Sequence, residues 1–364
     1  NEFAGVSEGP DGVFLTNSQA LTVAEVDRVP VHRVDVDGTT DPEEDISNLS
    51  DVTTESNGGN VVLKTTAGNL TITAGGDGDS RGIDADQDGN VRLETDDTGS
   101  TADVILSADT LVETETGNIS VIAADDFDVN DDADLISGGS DAIYVQAISG
   151  SITMGSKSAP VEVYGGDIRY WASENIALGR KLQATDTISL TADAGWIRDD
   201  AVDAAVDVES SALLLDAGLG IGRLGATNDP IHVDVDSVSA VAVGEGINLV
   251  ESDGITVENA QASVHLFGAE TGLTTVTDGP RSDLTTTGDG SIVLPTTAGH
   301  LTVSDGTDGD DAGIDADGTG NVRVHSEAGS IQLQSGGGSD TGNITVIGAV
   351  DVTQNADGDL STGG

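Results

Sequence analysis

One segment of this 364-residue chain occurs twice with few changes. The stretch "GNLTITAGGDGDSRGIDADQDGNVRLET", residues 68–95, returns as "GHLTVSDGTDGDDAGIDADGTGNVRVHS", residues 299–326, an offset of 231. Residues 60–93 and 291–324 align without a gap, and 21 of the 34 aligned pairs are identical. A long internal repeat of this kind is typical of proteins in which each unit buries its faces against its neighbours.

Weaker matches extend the repeat in both directions and divide the chain into three parts. Residues 1–139 contain a partial first unit, with the first copy at 12–139, and 246–364 form a truncated second copy of 12–139. Residues 140–245 appear once and contain most of the aromatic residues. We expect the chain to be cut from a longer tandem array.

A shorter rhythm of strand-like pieces runs inside the long repeat. Pieces such as "NLTIT", "NVRLE" and "NISVI" have apolar residues at alternate positions, and many follow Gly-Asn or Gly-Ser. Alternation indicates half-buried strands, and glycine supplies the turns between them. Two all-β architectures fit: a parallel β-helix (β-solenoid) built from tandem repeats, or a string of β-sandwich domains.

The low aromatic content favours the β-helix. Sandwich cores usually contain aromatic side chains, yet aromatic residues make up only 2% of this sequence. A narrow coil interior is instead filled by stacked Ile, Leu, Val and Ala, which this sequence offers in abundance. With ~20–25 residues per coil, about 15 coils at the ~4.8 Å strand spacing would make a rod of roughly 70–80 Å.

The recurring phrase G-[NS]-[VIL]-x-[VIL], separated by short glycine turns, resembles the filamentous-haemagglutinin-like surface proteins of bacteria. The resemblance covers most of the chain. It implies a very long secreted β-helical adhesin or surface fibre protein with an extracellular or cell-surface location. It implies no catalytic residues.

The charge of the chain disfavours two classes of partner. Acidic residues number 65 against 13 basic ones, for a formal net charge of -52. Nucleic acid is disfavoured because phosphate binding needs a basic face, and an anionic membrane surface is disfavoured for the same reason. No apolar run approaches the ~20 residues of a membrane span, so we expect no membrane insertion. The acid excess fits either calcium binding or adaptation to high salt.

Aspartates at alternate positions form the candidate metal site. The phrase "DADQDGN" places Asp84, Asp86 and Asp88 before a glycine, which resembles the start of a calcium loop. The second copy, "DADGTGN", keeps Asp315 and Asp317 and replaces the third acid with threonine. Ca²⁺ is therefore the predicted cofactor, with weaker binding in the second copy. The alternative is that these residues form solvated acidic turns.

Every Tyr and Trp of the chain lies between residues 144 and 196. Tyr164, Tyr170, Trp171 and Trp196 are the candidates for an interface or a glycan contact, because aromatic faces near arginines can stack on sugars or bind an acidic neighbour. The alternative is that they fill a local widening of the core.

Together these observations predict a structural or adhesive repeat segment of a very long extracellular surface fibre or adhesin stalk, and not an enzyme. The expected partners are neighbouring repeats or fibre subunits, and cell-surface glycans. The alternative is a polysaccharide-acting β-helix enzyme, a lyase or hydrolase, in which Arg169 and Arg180 would bind an acidic substrate.

Overall fold

A computed structural model describes residues 1–27, 31–34, 36–43, 48–55, 58–155, 163–201, 204–268, 272–307 and 309–363. Side chains at positions 31–33, 40–43 and 227 lie outside this description. Within these ranges the chain is almost entirely β-strand, with a single turn of 3₁₀ helix at Gly225–Thr227. No helix in these ranges has the length and apolar character needed to cross a membrane.

In chain order, the strands of the described residues are β1 Glu2–Phe3, β2 Gly5–Ser7, β3 Val13–Asn17, β4 Leu21–Val23, β5 Val31–Val34, β6 Thr40–Glu43, β7 Val52–Thr54, β8 Val61–Thr65, β9 Leu70–Ile72, β10 Arg81–Ala85, β11 Val91–Thr95, β12 Val104–Leu106, β13 Leu111–Thr114, β14 Ile119–Ala123, β15 Phe127–Val129, β16 Asp134–Ser137, β17 Ile143–Ala147, β18 Ile152–Met154, β19 Val163–Gly165, β20 Ile168–Ala172, β21 Ile176–Leu178, β22 Leu182–Ala184, β23 Thr187–Ala192, β24 Trp196–Asp199, β25 Val208–Ala217, β26 Gly220–Ile221, β27 Ile231–Ala242, β28 Gly246–Glu251, β29 Ile255–Val257, β30 Ser263–Gly268, β31 Gly272–Thr277, β32 Leu284–Thr286, β33 Ser291–Thr296, β34 Leu301–Val303, β35 Ala312–Ala316, β36 Val322–Ser326, β37 Ile331–Leu333, β38 Gly336–Ser339, β39 Ile344–Gly348, β40 Val352–Gln354 and β41 Leu360–Thr362.

Most strands pair in parallel with the strand three places further along the chain, so three strands make one coil. We name the three stacks by their first strands: ladder A begins with β2, ladder B with β3 and ladder C with β1. Ladder B is continuous from β3 through β8, β11, β14, β17, β20, β23, β25, β27, β32, β35 and β38 to β41. The predicted parallel β-helix is confirmed, and the alternative of separate sandwich domains is wrong. The twelve strand spacings of ladder B, at ~4.8 Å each, give a stack of about 60 Å, which is shorter than the predicted rod.

The glycine before many strands is required by the distance between coils. A Cβ atom on Gly117 would overlap the carbonyl oxygen of Gly89 in the preceding coil, and one on Gly89 would lie 2.5 Å from the carbonyl oxygen of Gly59. The residue that follows each glycine then hydrogen-bonds to the equivalent residue of the preceding coil. Asn90 donates from Nδ2 to Oδ1 of Asn60 at 3.0 Å, and Asn118 does the same to Asn90. The Gly-Asn phrase is thus a corner at which successive coils meet.

The same polar stacking continues at a second corner with different residues. The backbone N–H of Asp103 donates to Oδ1 of Asn69 at 3.0 Å. In the second copy His300 stands where the first copy has Asn69, and its Nδ1 accepts the backbone N–H of Ser330 at 3.0 Å. His300 is exposed, and it takes over the acceptor role of the asparagine.

Inward-facing aliphatic side chains fill the interior of the coils. Ile83, Leu93 and Val104 are fully buried, each from a different side of one coil. At strand ends a buried hydroxyl often closes the corner: Thr65 donates to the carbonyl oxygen of Gly68 at 2.7 Å, and Thr114 to that of Gly117 at 2.6 Å. The core is therefore narrow, aliphatic and polar only where the chain turns.

The two copies of the repeat lie on different sides of the solenoid. In the first copy β8 belongs to ladder B, but the equivalent strand β33 continues ladder C through β28. Likewise β10 pairs with the ladder A strand β7, whereas its equivalent β35 pairs with the ladder B strand β32. Ladder B takes eight steps from β8 to β32, and β33 lies on the next side. One repeat therefore contains eight turns and one third, and the copies differ by one face.

Each copy also sends an antiparallel hairpin out of the stack at the same place. The hairpin β5–β6 follows β4, and β30–β31 follows the equivalent strand β29. The second hairpin folds back over the outer face of ladder B. Phe267 donates its backbone N–H to Ser120 Oγ at 2.9 Å, and Arg92 donates to the carbonyl oxygen of Phe267 at 2.7 Å.

We expect Gly117→Ala to lower stability by about 1–3 kcal/mol, because the new methyl group must push two coils apart. Gly99→Ala is the matched control, since its Cβ would meet only the Asp97 side chain at 3.4 Å or more. Thermal unfolding followed by circular dichroism measures both. Equal melting temperatures for the two variants would contradict the close approach of coils at Gly117.

Candidate functional site

The predicted calcium loop does not gather its three aspartates. Asp84 faces outward from β10, where its Oδ2 lies 3.5 Å from Nε of Arg81, and burial, followed by the charge of Glu113, raises its pKa. Asp86 accepts the N–H of Gln87 in the following turn at 3.0 Å. Asp88 lies against Gly58 of the preceding coil. Because β10 ends at residue 85, alternation along a strand does not apply to the later acids.

The second copy differs in the same way. Asp317 accepts the N–H of Gly318 at 2.9 Å, and burial, followed by the charge of Asp340, raises the pKa of Asp315. Asp315 borders a surface cavity of about 650 Å³ whose acidic lining is Asp310, Asp311, Asp315, Asp340, Asp357 and Asp359. Asp317 is not part of this lining.

Elsewhere the fold brings ligand atoms within 4.8 Å of one another in four groups of the described residues. Each group draws on successive coils, so stacking and not sequence spacing assembles it. None contains Asp84, Asp86, Asp88, Asp315 or Asp317. The four groups are Asp51–Asp77–Asp79, Asp103–Asp125–Asp126, Asp234–Glu251–Asp253 and Asp199–Asp207–His232.

Asp51 forms the most exposed of these groups with Asp77 and Asp79. It precedes β7 with a φ of 52°, is 7% exposed, and accepts the N–H of Gly75 at 3.2 Å. Burial, then the charges of Asp77 and Asp79, raise its pKa to about 6. The phrase "SDVTT" around Asp51 recurs as "SDLTT" around Asp283, which is also buried with a positive φ. The recurrence of this phrase is the one sequence feature that could have identified Asp51 as part of a site. In the second copy the residue equivalent to Asp77 is Asp308, which lies outside the described residues.

Glu251 is fully buried at the end of β28. It accepts the backbone N–H groups of Val235 at 3.2 Å and Asp253 at 3.0 Å. Burial is the main cause that raises its pKa to about 7. The alternation of Ile247, Leu249 and Glu251 along one strand already places this acid on the inner side of the coil.

The remaining mixed group lies where ladder C turns into ladder A. Asp199 faces inward at the end of β24, and Asp207 precedes β25. Asp207 accepts the backbone N–H of His232 at 2.8 Å, and its Oδ2 lies 3.9 Å from Nδ1 of that histidine. Sequence spacing did not reveal this group, because His232 joins Asp199 and Asp207 only through the stacking of β27 on β25.

The aromatic candidates divide between core and surface. Tyr170 is fully buried inside the coil, so its predicted role as an interface or glycan contact is wrong. An inward position in β20 follows from the alternation of Ile168, Tyr170 and Ala172. Tyr164, Trp171 and Trp196 are half-buried on outward-facing positions.

The hairpin β30–β31 uses the basic residues of the single-copy segment. Arg169 makes a two-oxygen ion pair with Asp278, with Nε distances of 2.9 and 3.0 Å, and Ser189 donates to the same carboxylate at 2.7 Å. The Arg169 guanidinium also lies 5.4 Å from the centre of the Tyr144 ring, which the hairpin covers. The basic and aromatic residues of this face therefore bind another part of the same chain.

Comparisons with known proteins give no match: no protein-family model fits the chain, and neither a curated protein nor a solved structure resembles it. The resemblance to filamentous-haemagglutinin-like proteins therefore stays a prediction from the sequence motif.

The raised pKa values of Glu251 and Asp51 predict how the stability of the fold depends on pH. Their folded-state pKa values, about 7 and about 6, lie above the ordinary values of 4.5 and 3.8. The folded chain therefore holds more protons, and stability falls as the pH rises from about 4 to 7. In Glu251→Gln we expect the fall in melting temperature between pH 4.5 and 7 to be smaller than in the parent chain, by on the order of 2–5 °C.

Glu258→Gln is the matched control for this experiment, because Glu258 is exposed. Its melting temperature is expected to follow the parent chain across the whole pH range. An unchanged pH slope in Glu251→Gln would show that the buried glutamate carries no protonation-linked cost.

Proposed function

We propose that the chain is a structural segment of a very long extracellular surface fibre or adhesin stalk. The supporting observation is that both copies of the repeat belong to one uninterrupted stack of backbone hydrogen bonds. Ladder B passes from the single-copy strand β27 directly to β32 of the second copy. Units are joined by the same bonds that join coils within a unit, so length grows with copy number and no flexible linker intervenes.

The partial turn in each repeat adds a second property. Because a unit contains eight turns and one third, successive units would present their single-copy segments on successive faces of the stalk. Three units would return the segment to its starting face. Its partners in this proposal are neighbouring repeats or fibre subunits, and cell-surface glycans.

No observation in the described part of the chain favours the alternative of a polysaccharide-acting enzyme. The two arginines that suggested it are both engaged within the protein. Arg169 pairs with Asp278, and Arg180 is buried and donates to the carbonyl oxygens of Gly155 and Asn130 at 3.0 and 2.7 Å.

The proposal also includes calcium. Stacked coils bring carboxylates of like charge together in a chain of net charge -52, and a bound divalent cation would remove that repulsion. The group formed by Asp51, Asp77 and Asp79 fits best, because it combines a buried carboxylate with two exposed ones that a cation can reach. A protonated Asp51 would compete with the cation.

We expect 10 mM Ca²⁺ to raise the melting temperature by about 3–6 °C beyond NaCl of equal ionic strength, since binding to the folded state alone stabilises it by mass action. The increment should shrink in Asp51→Asn and disappear below pH 6. Asp11→Asn makes the same charge change at an exposed position and should respond like the parent chain. Identical responses to Ca²⁺ and NaCl would leave these acids as a solvated, salt-adapted surface.

Electron microscopy of the native cells tests the fibre itself. Gold-labelled antibodies raised against residues 1–364 should decorate extended structures on intact cells, with an antibody to a cytoplasmic protein as the negative control. Labelling that appears only after the cells are permeabilised would contradict the proposal.

A further inference from the structure

A small cavity on the outer side of ladder C has a lining unlike the rest of this acidic surface. Its volume is about 300 Å³, and it is lined by Trp196, Gly222, Arg223, Leu224, Glu245 and Gly246. This volume lies at the lower end of the range for small-molecule sites, which suits a compact ligand of one ring. The cavity belongs to the single-copy part of the repeat and its junction with the second copy.

Glycines of the next two coils keep the indole of Trp196 unobstructed. Trp196 faces outward from β24 and pairs with Gly220, which in turn pairs with Gly246. A Cβ atom on Gly220 would come within 2.5 Å of the indole carbon Cζ3. Only glycine therefore lets the ring lie across the following coil, and the ring forms one wall of the cavity.

Arg223 supplies hydrogen-bond donors that nothing in the described chain uses. Its guanidinium forms no ion pair and no hydrogen bond with a described residue, whereas Lys64, Arg169 and Arg281 each pair with a carboxylate. Its backbone is held on both sides: the N–H donates to Asp229 at 2.6 Å, and the carbonyl accepts from Asn248 at 2.5 Å. These two hydrogen bonds fix the backbone from which the half-buried Arg223 side chain extends.

Together these groups form a complementary set for a polyhydroxylated ring. The indole offers a flat apolar face, Arg223 offers several donors in one plane, and the exposed carboxylate of Glu245 accepts hydroxyl hydrogens. An anionic ligand would meet Glu245 and the overall charge of -52. A purely apolar ligand would leave both charged groups without partners.

We propose that this cavity binds a single neutral hexose residue of a glycan. The sugar ring stacks on Trp196, and its hydroxyl groups bond to Arg223 and Glu245. The site extends the adhesive part of the proposed function, and the two fail separately: surface labelling tests the fibre, whereas sugar titration tests the cavity.

The chain has two tryptophans, and this makes the site directly observable. In Trp171→Phe the intrinsic fluorescence reports Trp196 alone. The probes are the methyl glycosides of glucose, galactose, mannose and N-acetylglucosamine, with sodium acetate and sodium sulfate as anion controls at matched ionic strength. We expect a saturable change with at least one glycoside, with a Kd on the order of 1–10 mM, as befits one ring on an open surface.

Further variants locate the response. Arg223→Ala in the Trp171→Phe background should weaken binding at least fivefold. Arg323→Ala is the matched control, since Arg323 also has no carboxylate partner among the described residues and lies outside the cavity lining. Trp196→Phe, with Trp171 as the remaining reporter, should show no saturable change. Circular dichroism and melting temperature confirm that each variant is folded.

Three results would overturn the proposal. The first is the absence of saturation by every glycoside up to 100 mM. The second is an equal or stronger saturable response to acetate or sulfate, which would make the cavity an anion site. The third is unchanged binding in a folded Arg223→Ala variant.

Discussion

Backbone hydrogen bonding between successive coils is the interaction on which the rest of this structure depends. Parallel strands spaced at ~4.8 Å leave no room for side chains where the chain turns toward the neighbouring coil. Gly89 and Gly117 meet this limit by having no side chain, and the asparagines that follow them continue the hydrogen bonding through their amides. One local requirement, repeated from coil to coil, explains why the Gly-Asn phrase recurs through the sequence.

The same stacking explains how the acids are distributed. Many carboxylates lie at exposed turns, and stacking places the turns of successive coils side by side. Groups such as Asp51 with Asp77 and Asp79 arise from this contact between turns. Glu251 is the extreme case, since it is fully buried and accepts the backbone N–H groups of Val235 and Asp253 and the hydroxyl of Ser252. Burial raises the pKa of Glu251 to about 7, so the fold favours the protonated form of this acid.

The hairpin β30–β31 adds a contact along the stack that the ladders do not provide. It begins after β29 and reaches back to Arg92 and Ser120, so it spans several coils of ladder B. Asp278, which directly follows β31, forms an ion pair with Arg169 and so gives one basic residue of the single-copy segment a structural role. These contacts oppose separation of the coils that the hairpin crosses, a property that the proposed stalk would need.

Sequence alone determined the all-β class and favoured the parallel β-helix, because alternation and glycine spacing act over a few neighbouring residues and the scarcity of aromatic residues fits a narrow core. It also predicted that residues 246–364 repeat 12–139. Only the tertiary structure decided which residues share a site. Asp84, Asp86 and Asp88 lie close in the sequence but form no group of ligand atoms within 4.8 Å among the described residues, whereas Asp199 and Asp207 form such a group with His232 of a later coil. The physical reason is that neighbours in a solenoid lie one coil apart, and coil length varies too much for spacing in the sequence to predict which residues stack.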